Sequence, residues 1–321
     1  MQKDFIAIHD LTPDEFHKIL NMTDDIKKHP HRFRKSLKNR ILAMIFQKPS
    51  LRTRMTFEVG MLQLGGEAIY LAPSDIQLGS REGIFDVGKN LERWVDGIML
   101  RTFAHQIILD LASSTRIPVI NALTDLLHPC QAMADFYTLR EKKGGRTGLT
   151  FAYVGAGLTF AYVGDGNNVC HSLMFAAAKS GTKMAVATPA GYEPNPEIVR
   201  QALEDGKATG FSLKLTADPA EAASGADAVY TDVWASMGQE AEKEKRARVF
   251  APYQVNAKLM SHAKPDALFM HCLPAHRGDE VTDEVIDSAN SVVYDEAENR
   301  LHVQKVIMLL LMGKKEKEKH A

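Results

Sequence analysis

The sequence predicts an α/β protein with two doubly wound parallel-sheet domains, which are joined by long helices and have an active-site cleft between them. Three observations support this fold class. The chain has 321 residues, enough for two domains that each bury a core. Short apolar runs alternate with helical patterns, as in parallel sheets covered on both faces. A charged, glycine-containing break lies at 142–146. We therefore expect domains at 1–143 and 144–295, and a C-terminal helix with a charged tail at 296–321 that packs back on the first domain.

The first half begins with a helix signal. The stretch 12–15, Thr-Pro-Asp-Glu, provides a cap, a proline and two first-turn acids, which predicts a helix over residues 11–28. The other elements expected here are strands at 41–46, 67–71, 97–101 and 119–121, helices at 84–95, 106–113 and 128–142, and a polar loop at 73–81.

The second half alternates more regularly. The strands expected here are 160–163, 183–187, 212–215, 228–231, 267–271 and 291–294, with helical segments between most of them. A final helix is expected at 296–312. The charge run at 314–320 is typical of a solvated or frayed end.

One stretch of the sequence is duplicated in tandem. Residues 148–156 read Gly-Leu-Thr-Phe-Ala-Tyr-Val-Gly-Ala, and residues 157–165 repeat them with Asp165 in place of the last alanine. Since only the second copy runs on into the next helix pattern, we assign it to the central strand of the second sheet. The first copy is then an insertion, either an extra edge segment or a looped-out hairpin partner. The identity of the copies also allows a register shift between them.

Composition excludes several classes of function. The formal net charge is −1, so neither nucleic acid nor an acidic membrane surface is expected as a partner. The three cysteines, Cys130, Cys170 and Cys272, are too few and too scattered for a disulfide framework or a zinc cluster. The N-terminus is charged where a signal peptide would be apolar, and no apolar run reaches membrane-spanning length. We expect a cytoplasmic protein.

The stretch 46–54, Phe-Gln-Lys-Pro-Ser-Leu-Arg-Thr-Arg, has the features of a phosphate site. It joins a predicted strand to a helical pattern that begins at Leu51, so Ser50 occupies the N-cap position. Arg52 and Arg54 then lie in the first turn, where the helix dipole disfavours cations unless an anion binds among them. Hydroxyls, backbone N–H groups and guanidinium forks together suit a phosphate. The alternative is a solvated basic turn.

Polar clusters follow three predicted strands of the second half. They are Asp-Gly-Asn-Asn at 165–168, Asp-Val-Trp-Ala-Ser-Met-Gly at 232–238 and His-Cys-Leu-Pro at 271–274. Ligands bind beyond the carboxyl ends of strands in such sheets, so three clusters at one edge favour a shared pocket. Each cluster also has an ordinary alternative: a helix cap for the asparagines, a strand-end turn for Asp232 and an inert buried thiol for Cys272.

The first half has the same arrangement, because Arg101 ends a strand and His128 and Gln131 begin a helix. A cleft between the domains would place a cationic side, suited to a phosphate, opposite carboxylate, amide and backbone groups suited to an amino acid. A dinucleotide-binding dehydrogenase is disfavoured, because the Gly-x-Gly-x-x-Gly fingerprint fails at 155–160 and at 164–169. No Walker A sequence occurs either.

Four motifs in this chain resemble the aspartate/ornithine carbamoyltransferase family, and most closely its ornithine-specific members. They are Ser-Leu-Arg-Thr-Arg at 50–54, His-Pro-Cys-Gln at 128–131, and the clusters at 232–238 and 271–274. The resemblance implies transfer of a carbamoyl group from carbamoyl phosphate to the side-chain amine of L-ornithine, giving L-citrulline and phosphate. This reaction serves arginine biosynthesis or, in reverse, arginine degradation. The resemblance also implies a carbamoyl-phosphate-binding first domain, an ornithine-binding second domain, a homotrimer or a multiple of trimers, and no metal or organic cofactor.

The resemblance also assigns roles to the matching positions. The residues that would hold carbamoyl phosphate are Ser50, Leu51, Arg52, Thr53, Gln77, Arg101, His128 and Gln131. The residues that would hold ornithine or line the meeting point of the substrates are Asn168, Asp232, Ser236, Met237, Cys272 and Leu273. Arg300 would reach into the site from the last helix. The residues that would take part in catalysis are Arg52, Arg101, His128 and Cys272.

The implied reaction requires stabilisation of a developing negative charge and deprotonation of the attacking amine. Attack by the amine creates a tetrahedral centre whose oxygen gains negative charge, and donors from Arg52, Arg101 and His128 would stabilise it. The amine must first lose a proton, since its pKa in water is about 10.4, as for lysine. Exclusion of water and a neighbouring Cys272 would favour the neutral amine. We expect Cys272 to orient and deprotonate the amine rather than to act as a covalent nucleophile.

Two departures from the family pattern affect these expectations. The loop after Gln77 reads Gly-Ser-Arg-Glu-Gly at 79–83 where the family has Gly-Arg-Gly-Glu-Ser, so the basic residue is shifted by one place. The duplication lies immediately before Asn168 and could displace the ornithine side. The alternatives are a carbamoyltransferase for aspartate, putrescine or an acylated ornithine, and an inactive binding protein. Cys272 and the loop at 236–238 favour free ornithine over aspartate.

Overall fold

The computed structural model describes residues 2–76, 78–79, 81–144, 157–235 and 240–313. The chain divides into two compact units. One unit is formed by Met1–Met133 and Asn299–Ala321, and the other by Ala134–Glu298. Each unit contains its own parallel sheet, so the predicted α/β class with two parallel-sheet units is confirmed.

The first unit is built on a four-stranded parallel sheet. Its strands are β1 (Ile41–Phe46), β2 (Glu67–Leu71), β3 (Gly97–Arg101) and β4 (Val119–Leu123), in the spatial order β2-β1-β3-β4. Its helices are α1 (Pro13–Lys28), α2 (Leu51–Leu64), α3 (Pro73–Ile76), α4 (Ile84–Leu91), α5 (His105–Ser114) and the start of α6 (Pro129–Lys143). The order of strands reverses between β1 and β3, which makes the gap between them the switch point of this sheet.

Local sequence accounts for the main elements of this unit. The Thr12 Oγ1 accepts from the Glu15 N–H at 3.2 Å and the Glu15 carboxylate accepts from the Thr12 N–H at 3.0 Å, which is the predicted capping box of α1. The strands β1 and β3 are buried along almost their whole length, because parallel strands are covered on both faces. Their continuous apolar sequences follow from that burial.

The second unit is built on a five-stranded parallel sheet. Its strands are β5 (Thr159–Val163), β6 (Lys183–Ala187), β7 (Ser212–Thr216), β8 (Ala228–Tyr230) and β9 (Leu268–Met270), in the spatial order β7-β6-β5-β8-β9. Its helices are the rest of α6, α7 (Asn168–Ser180), α8 (Pro196–Asp205), α9 (Pro219–Ala223), α10 (Lys243–Phe250), α11 (Ala257–Met260), α12 (Asp283–Ile286) and the start of α13 (Val293–Met312). The switch point of this sheet lies between β5 and β8.

The end of α13 packs on α2 within the first unit. A Cβ added at Gly60 would lie 2.8 Å from the Cε of Met308, so glycine allows the two helices to approach closely. The Nζ of Lys305 donates to the side chain of Gln63 at 2.9 Å. This contact brings the last helix beside the first turn of α2, where the basic motif lies.

The second copy of the tandem duplication forms β5, as predicted. The side chains of Phe160 and Tyr162 are fully buried, and β5 pairs in parallel with both β6 and β8. The rings of Tyr162 and Tyr230 stack with their centroids 6.0 Å apart. The first copy, 148–156, lies outside the described residues, so the expected edge segment, hairpin and register shift stay predictions.

The strand predicted at 291–294 is wrong. Ser291 forms a single bridge to Phe269, and α13 then begins at Val293 rather than at residue 296. The side chains of Val292 and Val293 are both buried. A short buried apolar run does not by itself distinguish a strand from the first turn of a buried helix.

The loop predicted at 73–81 contains the one-turn helix α3. The Oδ2 of Asp75 accepts from the Ala72 N–H at 2.7 Å, which closes this turn. The charged tail at 314–320 lies outside the described residues. Within the described ranges, no helix is both long enough and apolar enough to cross a lipid bilayer.

The duplication offers a test of which copy forms β5. Deleting 148–156 leaves β5 and everything after it unchanged, so the unfolding midpoint should shift by no more than about 2–4 °C, the equivalent of about 1 kcal/mol. Deleting 157–165 instead leaves the same sequence with Ala in place of Asp165. Asp165 is buried with its Oδ2 2.7 Å from the Nη1 of Arg246. Losing one partner of a buried ion pair costs about 3–5 kcal/mol, so this deletion should lower the midpoint by about 10 °C.

Thermal unfolding followed by circular dichroism measures both midpoints. The two deletion proteins differ at a single position, so each is the matched control for the other. Equal midpoints would contradict the placement of Asp165 beside Arg246.

Candidate active site

The turn that follows β1 lies at the switch point of the first sheet. Phe46, the last residue of β1, pairs with Arg101, the last residue of β3. The N–H of Gln47 donates to the carbonyl of Arg101 at 2.8 Å, which holds the turn against β3. The basic motif and Arg101 therefore start from the same edge of the sheet, where ligands bind in doubly wound folds.

Ser50 and Thr53 provide the hydroxyl groups of this edge. Ser50 is the N-cap of α2, as predicted, and its Oγ accepts from the Thr53 N–H at 3.3 Å. The two hydroxyl oxygens lie 3.1 Å apart. The Nη2 of Arg300, on α13, donates to the Thr53 Oγ1 at 3.1 Å. The structure therefore brings Arg300 to the first turn of α2, whereas family resemblance implied only that Arg300 reaches into the site from the last helix.

Positive charge converges on His128, the residue that precedes α6. The His128 side chain is buried, and burial lowers the pKa of the imidazole well below its ordinary value. The cations Arg300, Arg101 and Arg52 lower the pKa further, in that order. His128 is therefore neutral at physiological pH. Three guanidinium groups from separate segments share its neighbourhood, which suits an anionic ligand.

Gln131 belongs to the same buried region. Pro129 is the first residue of α6, as predicted, and the Gln131 N–H donates to the His128 carbonyl at 3.1 Å. The Gln131 side chain is 1 % exposed. The start of α6 thus holds His128 and Gln131 one turn apart.

Two other residues of the basic motif are exposed. Leu51 is 76 % exposed, which is compatible with a role for its backbone alone. The guanidinium of Arg54 lies over the ring of Tyr70, 4.0 Å from its centroid, and pairs with Glu58 at 3.3 Å. The sequence placed Arg54 beside Arg52 at the anion, whereas the structure assigns it to these exposed contacts.

Lys48 is a buried cation that the sequence analysis missed. Its side chain is buried, forms an ion pair with Asp125 and lies 4.3 Å from the ring centroid of Phe103. The available signal was a lysine in the proline turn directly before Ser50. Lys48 adds a further cation beside the turn that carries the motif.

The loops that follow β5 and β8 are joined at the switch point of the second sheet. The Oδ1 of Asn167 accepts from the N–H groups of Val169 and Cys170 at 2.9 and 3.1 Å, which confirms the helix-cap interpretation. Its Nδ2 donates to the Oδ2 of Asp232 at 2.9 Å. One amide therefore caps α7 and orients the carboxylate of Asp232.

Cys272 completes this arrangement from the end of β9. Its Sγ donates to the Oδ1 of Asp232 at 3.1 Å. Burial, followed by the charge of Asp232, raises the pKa of the Cys272 thiol well above its ordinary value. The sulfur therefore carries its proton. The result is a buried carboxylate held by an amide and a thiol, a group suited to bind an ammonium ion.

His271 supports the turn that carries Cys272. Leu273 has a φ of 58°, a left-handed conformation that is rare for residues other than glycine. Its N–H donates to the His271 Nδ1 at 2.8 Å, so the ring proton lies on Nε2, 3.3 Å from the Glu280 Oε1. In the described part of the chain, donor atoms of Asp232, His271 and Cys272 lie within 4.8 Å of one another. Both ring nitrogens of His271 are already engaged, so this group fits a hydrogen-bond network rather than a metal site.

Some of the remaining predicted site residues lie within the described part of the chain and others do not. Asn168 is the first residue of α7 and is half-buried, with its carbonyl accepting from the Ser172 hydroxyl at 3.0 Å. Gln77, Ser236 and Met237 lie outside the described residues. Arg81, the shifted basic residue of the 79–83 loop, is exposed.

Arg246 is a further buried residue that sequence reasoning missed. Its Nη1 donates to the Asp165 Oδ2 at 2.7 Å and to the Trp234 carbonyl at 2.8 Å. It therefore ties the start of the 232–238 loop to the turn after β5. No local signal marks this arginine, because it sits in a stretch rich in lysine and glutamate and its partners are distant in sequence.

Two family models match most of the chain. The family model for the aspartate/ornithine carbamoyltransferase carbamoyl-P binding domain matches residues 3–141, and the Asp/Orn binding domain model of the same family matches residues 156–311. The stretch 142–155, which neither model matches, contains most of the first copy of the duplication.

Individual relatives match over almost the full chain. An ornithine carbamoyltransferase of Thermococcus kodakarensis is 52 % identical over 316 residues, with 97 % of this chain and 96 % of that protein covered. The solved ornithine carbamoyltransferase of Pyrococcus furiosus has a TM-score of 0.91 at 50 % identity and 97 % and 98 % coverage. That of Thermus thermophilus has a TM-score of 0.85 at 44 % identity and 97 % and 99 % coverage.

The two arginines of the basic motif form a matched pair for testing the anion site. Arg52→Gln removes a cation that acts on His128, and we expect inorganic phosphate to bind about tenfold more weakly, because a charged hydrogen bond contributes about 1.5–3 kcal/mol. Arg54→Gln removes an exposed cation that contacts Tyr70, and affinity should stay within about twofold. Isothermal titration calorimetry measures both affinities. Equal losses in the two variants would contradict this location for the anion site.

Proposed function

Because the chain belongs to the aspartate/ornithine carbamoyltransferase family, we propose that it transfers the carbamoyl group of carbamoyl phosphate to the side-chain amine of L-ornithine, giving L-citrulline and phosphate. The observation that carries this proposal is the convergence of Arg52, Arg101 and Arg300 on a neutral His128. Its counterpart in the second unit is the pair formed by Asp232 and Cys272. The reaction requires one site for an anionic donor and one for an ammonium-bearing acceptor.

The first turn of α2 would hold the phosphate end of the donor. The hydroxyls of Ser50 and Thr53, the backbone at Leu51 and the guanidinium of Arg52 together provide the donors of a helix N-terminal anion site. Arg300 adds a cation from α13, since it already contacts Thr53 at 3.1 Å. The phosphate remains held by these cations as it leaves, so no strong acid is needed to protonate it.

Arg101, His128 and Gln131 would bind the carbamoyl end. A neutral imidazole can donate one N–H to the carbonyl oxygen, and Arg101 adds a full positive charge beside it. When the amine attacks, this oxygen gains negative charge. Fixed donors in a buried site then stabilise the tetrahedral centre more than the ground-state carbonyl, which lowers the barrier.

Asp232 would bind the ammonium group at the α-carbon of ornithine. Asn167 and Cys272 donate to different oxygens of this carboxylate and so fix its orientation. Cys272 would lie beside the side-chain amine. Because the thiol keeps its proton, its geometry favours orienting the amine over abstracting a proton from it. Burial of the amine in this region lowers the pKa of the amine and favours its neutral, nucleophilic form.

The remaining roles in the proposal rest on the family resemblance. Gln77 would contact carbamoyl phosphate, Leu273 would line the meeting point of the substrates, and the residues that would contact the amino-acid part of ornithine are Asn168, Ser236 and Met237. We also propose the domain limits 1–143 and 144–295, with the C-terminal segment at 296–321. The proposed chemistry uses no metal and no organic cofactor.

We further propose a homotrimer, or a multiple of trimers, in the cytoplasm. Leu51, Met55 and Leu62 lie on one face of α2 and are 76 %, 49 % and 61 % exposed. An exposed apolar face of this kind is typical of an interface between subunits. The cysteines Cys130, Cys170 and Cys272 are all free thiols, which fits a reducing compartment.

The alternative functions are not favoured. A carboxylate with a thiol donor suits the ammonium groups of ornithine better than the second carboxylate of aspartate. An inactive binding protein would require the duplication to disturb the second sheet, yet the second copy pairs in register with β6 and β8. The duplication therefore leaves the strand before Asn167 and Asn168 in place.

Citrulline formation tests the proposed function and its acceptor. We expect ornithine to exceed aspartate and an Nα-acylated ornithine by about 100-fold or more in kcat/KM, because the acylated acceptor leaves Asp232 unpaired and the second carboxylate of aspartate is repelled by Asp232. Asp232→Asn should lower kcat/KM for ornithine by about 100-fold, since a buried charged hydrogen bond is lost. The same variant should bind inorganic phosphate normally. Preference for another acceptor, or phosphate binding without citrulline formation, would contradict the proposal.

A further inference from the structure

Two buried carboxyl groups lie beneath the turn that carries Cys272, and neither belongs to the site described above. Asp135, on α6, is fully buried, and Glu296, on α13, is 1 % exposed. The family resemblance assigned neither residue a role. Buried carboxylates are costly unless they are paired with a cation, saturated with hydrogen-bond donors or protonated.

Two neutral donors reach these carboxyl groups. The hydroxyl of Tyr230, at the end of β8, donates to the Asp135 Oδ2 at 3.2 Å. The backbone N–H of His271 donates to the Glu296 Oε2 at 3.0 Å. The Glu296 Oε1 is buried and accepts no hydrogen bond from an N–H or O–H donor within the described residues. One carboxyl group therefore still has an oxygen that requires a donor.

A proton between the two carboxyl groups would supply the missing donor. The side chains of Asp135 and Glu296 are close enough to hydrogen bond, which two ionised carboxylates cannot do because neither has a proton to donate. The titratable groups that face Glu296 from the neighbouring elements include the carboxylates of Asp135 on α6 and of Asp232 after β8, the hydroxyl of Tyr230 and the thiol of Cys272. Burial, followed by Asp135, raises the pKa of Glu296 well above its ordinary value.

We propose that Asp135 and Glu296 share one proton at neutral pH, and that Glu296 is a positioning residue that holds the backbone of the 271–273 turn and so sets the orientation of Cys272. The positioning role rests on the proposed function, whereas the shared proton does not. The Glu296 carboxyl accepts a hydrogen bond from the N–H of His271, the first residue of the turn. The His271 ring accepts a hydrogen bond from the N–H of Leu273, the last residue of the turn. Cys272 lies between these two anchors.

This network explains how the turn keeps an unfavourable backbone. Leu273 sits in the left-handed region at a φ of 58°, a conformation that persists only when neighbouring contacts impose it. Glu296 fixes the entry to the turn and His271 fixes its exit. If Glu296 lost its proton, two adjacent buried carboxylates would repel each other and would displace the group that anchors His271.

Infrared difference spectroscopy tests the shared proton directly. At a pH near 8, the native protein should show the carbonyl stretch of a protonated carboxylic acid, and this band should be absent from Glu296→Gln. Asp295→Asn is the matched control, since Asp295 is the neighbouring carboxylate on α13 but pairs with Lys142 at 2.6 Å. It should keep the band. A native spectrum without the band would overturn the shared proton.

Steady-state kinetics test the positioning role. Glu296→Gln keeps an acceptor for the His271 N–H and gains an N–H for Asp135, so KM for ornithine should stay within about twofold. Glu296→Ala leaves the His271 N–H unpaired and should raise KM for ornithine by about tenfold or more, with KM for carbamoyl phosphate unchanged. An equal rise in KM for ornithine in Glu296→Gln and Glu296→Ala would overturn the positioning role. A rise in KM for carbamoyl phosphate as well would also overturn it.

The pH profile separates this role from general packing. The folded-state pKa of Glu296 is raised, so the pair is intact at low and neutral pH and is lost as the pH rises through that pKa. The native enzyme should therefore lose activity at alkaline pH, whereas Glu296→Gln should lose less. If activity falls equally with rising pH in the native enzyme and in Glu296→Gln, the proposal is contradicted.

The two proposals fail in different ways. A native protein that shows the infrared band but forms no citrulline would contradict the proposed function and still support the shared proton. In that case the rate of Cys272 alkylation, followed by mass spectrometry, tests positioning without turnover. Cys130 and Cys170 are fully buried, so they report little reaction in the folded protein. An alkylation rate that is the same in the native protein and in Glu296→Ala would overturn the positioning role.

Discussion

The convergence of three arginines on one buried histidine is the interaction on which the proposed chemistry depends. Arginine stays charged in proteins, so Arg52, Arg101 and Arg300 repel one another, and burial strengthens that repulsion. The fold holds them together through covalent and hydrogen-bonded restraints. Arg101 ends the strand that pairs with β1, and Arg300 donates to Thr53 at 3.1 Å. A dianionic ligand would relieve the repulsion, so these charges favour binding of the proposed donor substrate. The neutral state of His128 is the electrostatic signature of this arrangement.

The second unit concentrates the opposite charge. Asp232, Asp135 and Glu296 are all buried near the ends of β8 and β9. A thiol proton from Cys272 and an amide proton from Asn167 stabilise the first of these carboxylates, and the shared proton that we infer stabilises the other two. Cations in one unit and carboxylates in the other match the two substrates of the proposed reaction, one a phosphate anion and the other an ammonium. The charge of each site is thus opposite to the charge of the substrate that we propose for it.

Features that depend on local sequence were predicted well, and features that depend on distant partners were not. The strands of both sheets are short apolar runs bounded by polar turns, which is why the sequence predicted all nine strands that the structure describes. The strand predicted at 291–294 failed because a buried helix start has the same apolar pattern. The cap at Ser50 followed from residue type, but whether Arg54 faces the anion or Tyr70 depends on packing that the sequence does not display. The carboxyl pair of Asp135 and Glu296 was invisible, because the two residues are far apart in sequence and follow no motif. The roles assigned by family resemblance stay predictions.

The pKa of His128, followed by nuclear magnetic resonance of nitrogen-labelled histidine, tests the central claim most directly. The claim predicts a pKa well below the ordinary value of about 6.5 in the free protein, because burial and three cations disfavour the imidazolium. It also predicts that inorganic phosphate raises this pKa, since a bound anion offsets the arginines. A His128 that titrates near its ordinary pKa, and whose pKa does not move when phosphate is added, would contradict the account.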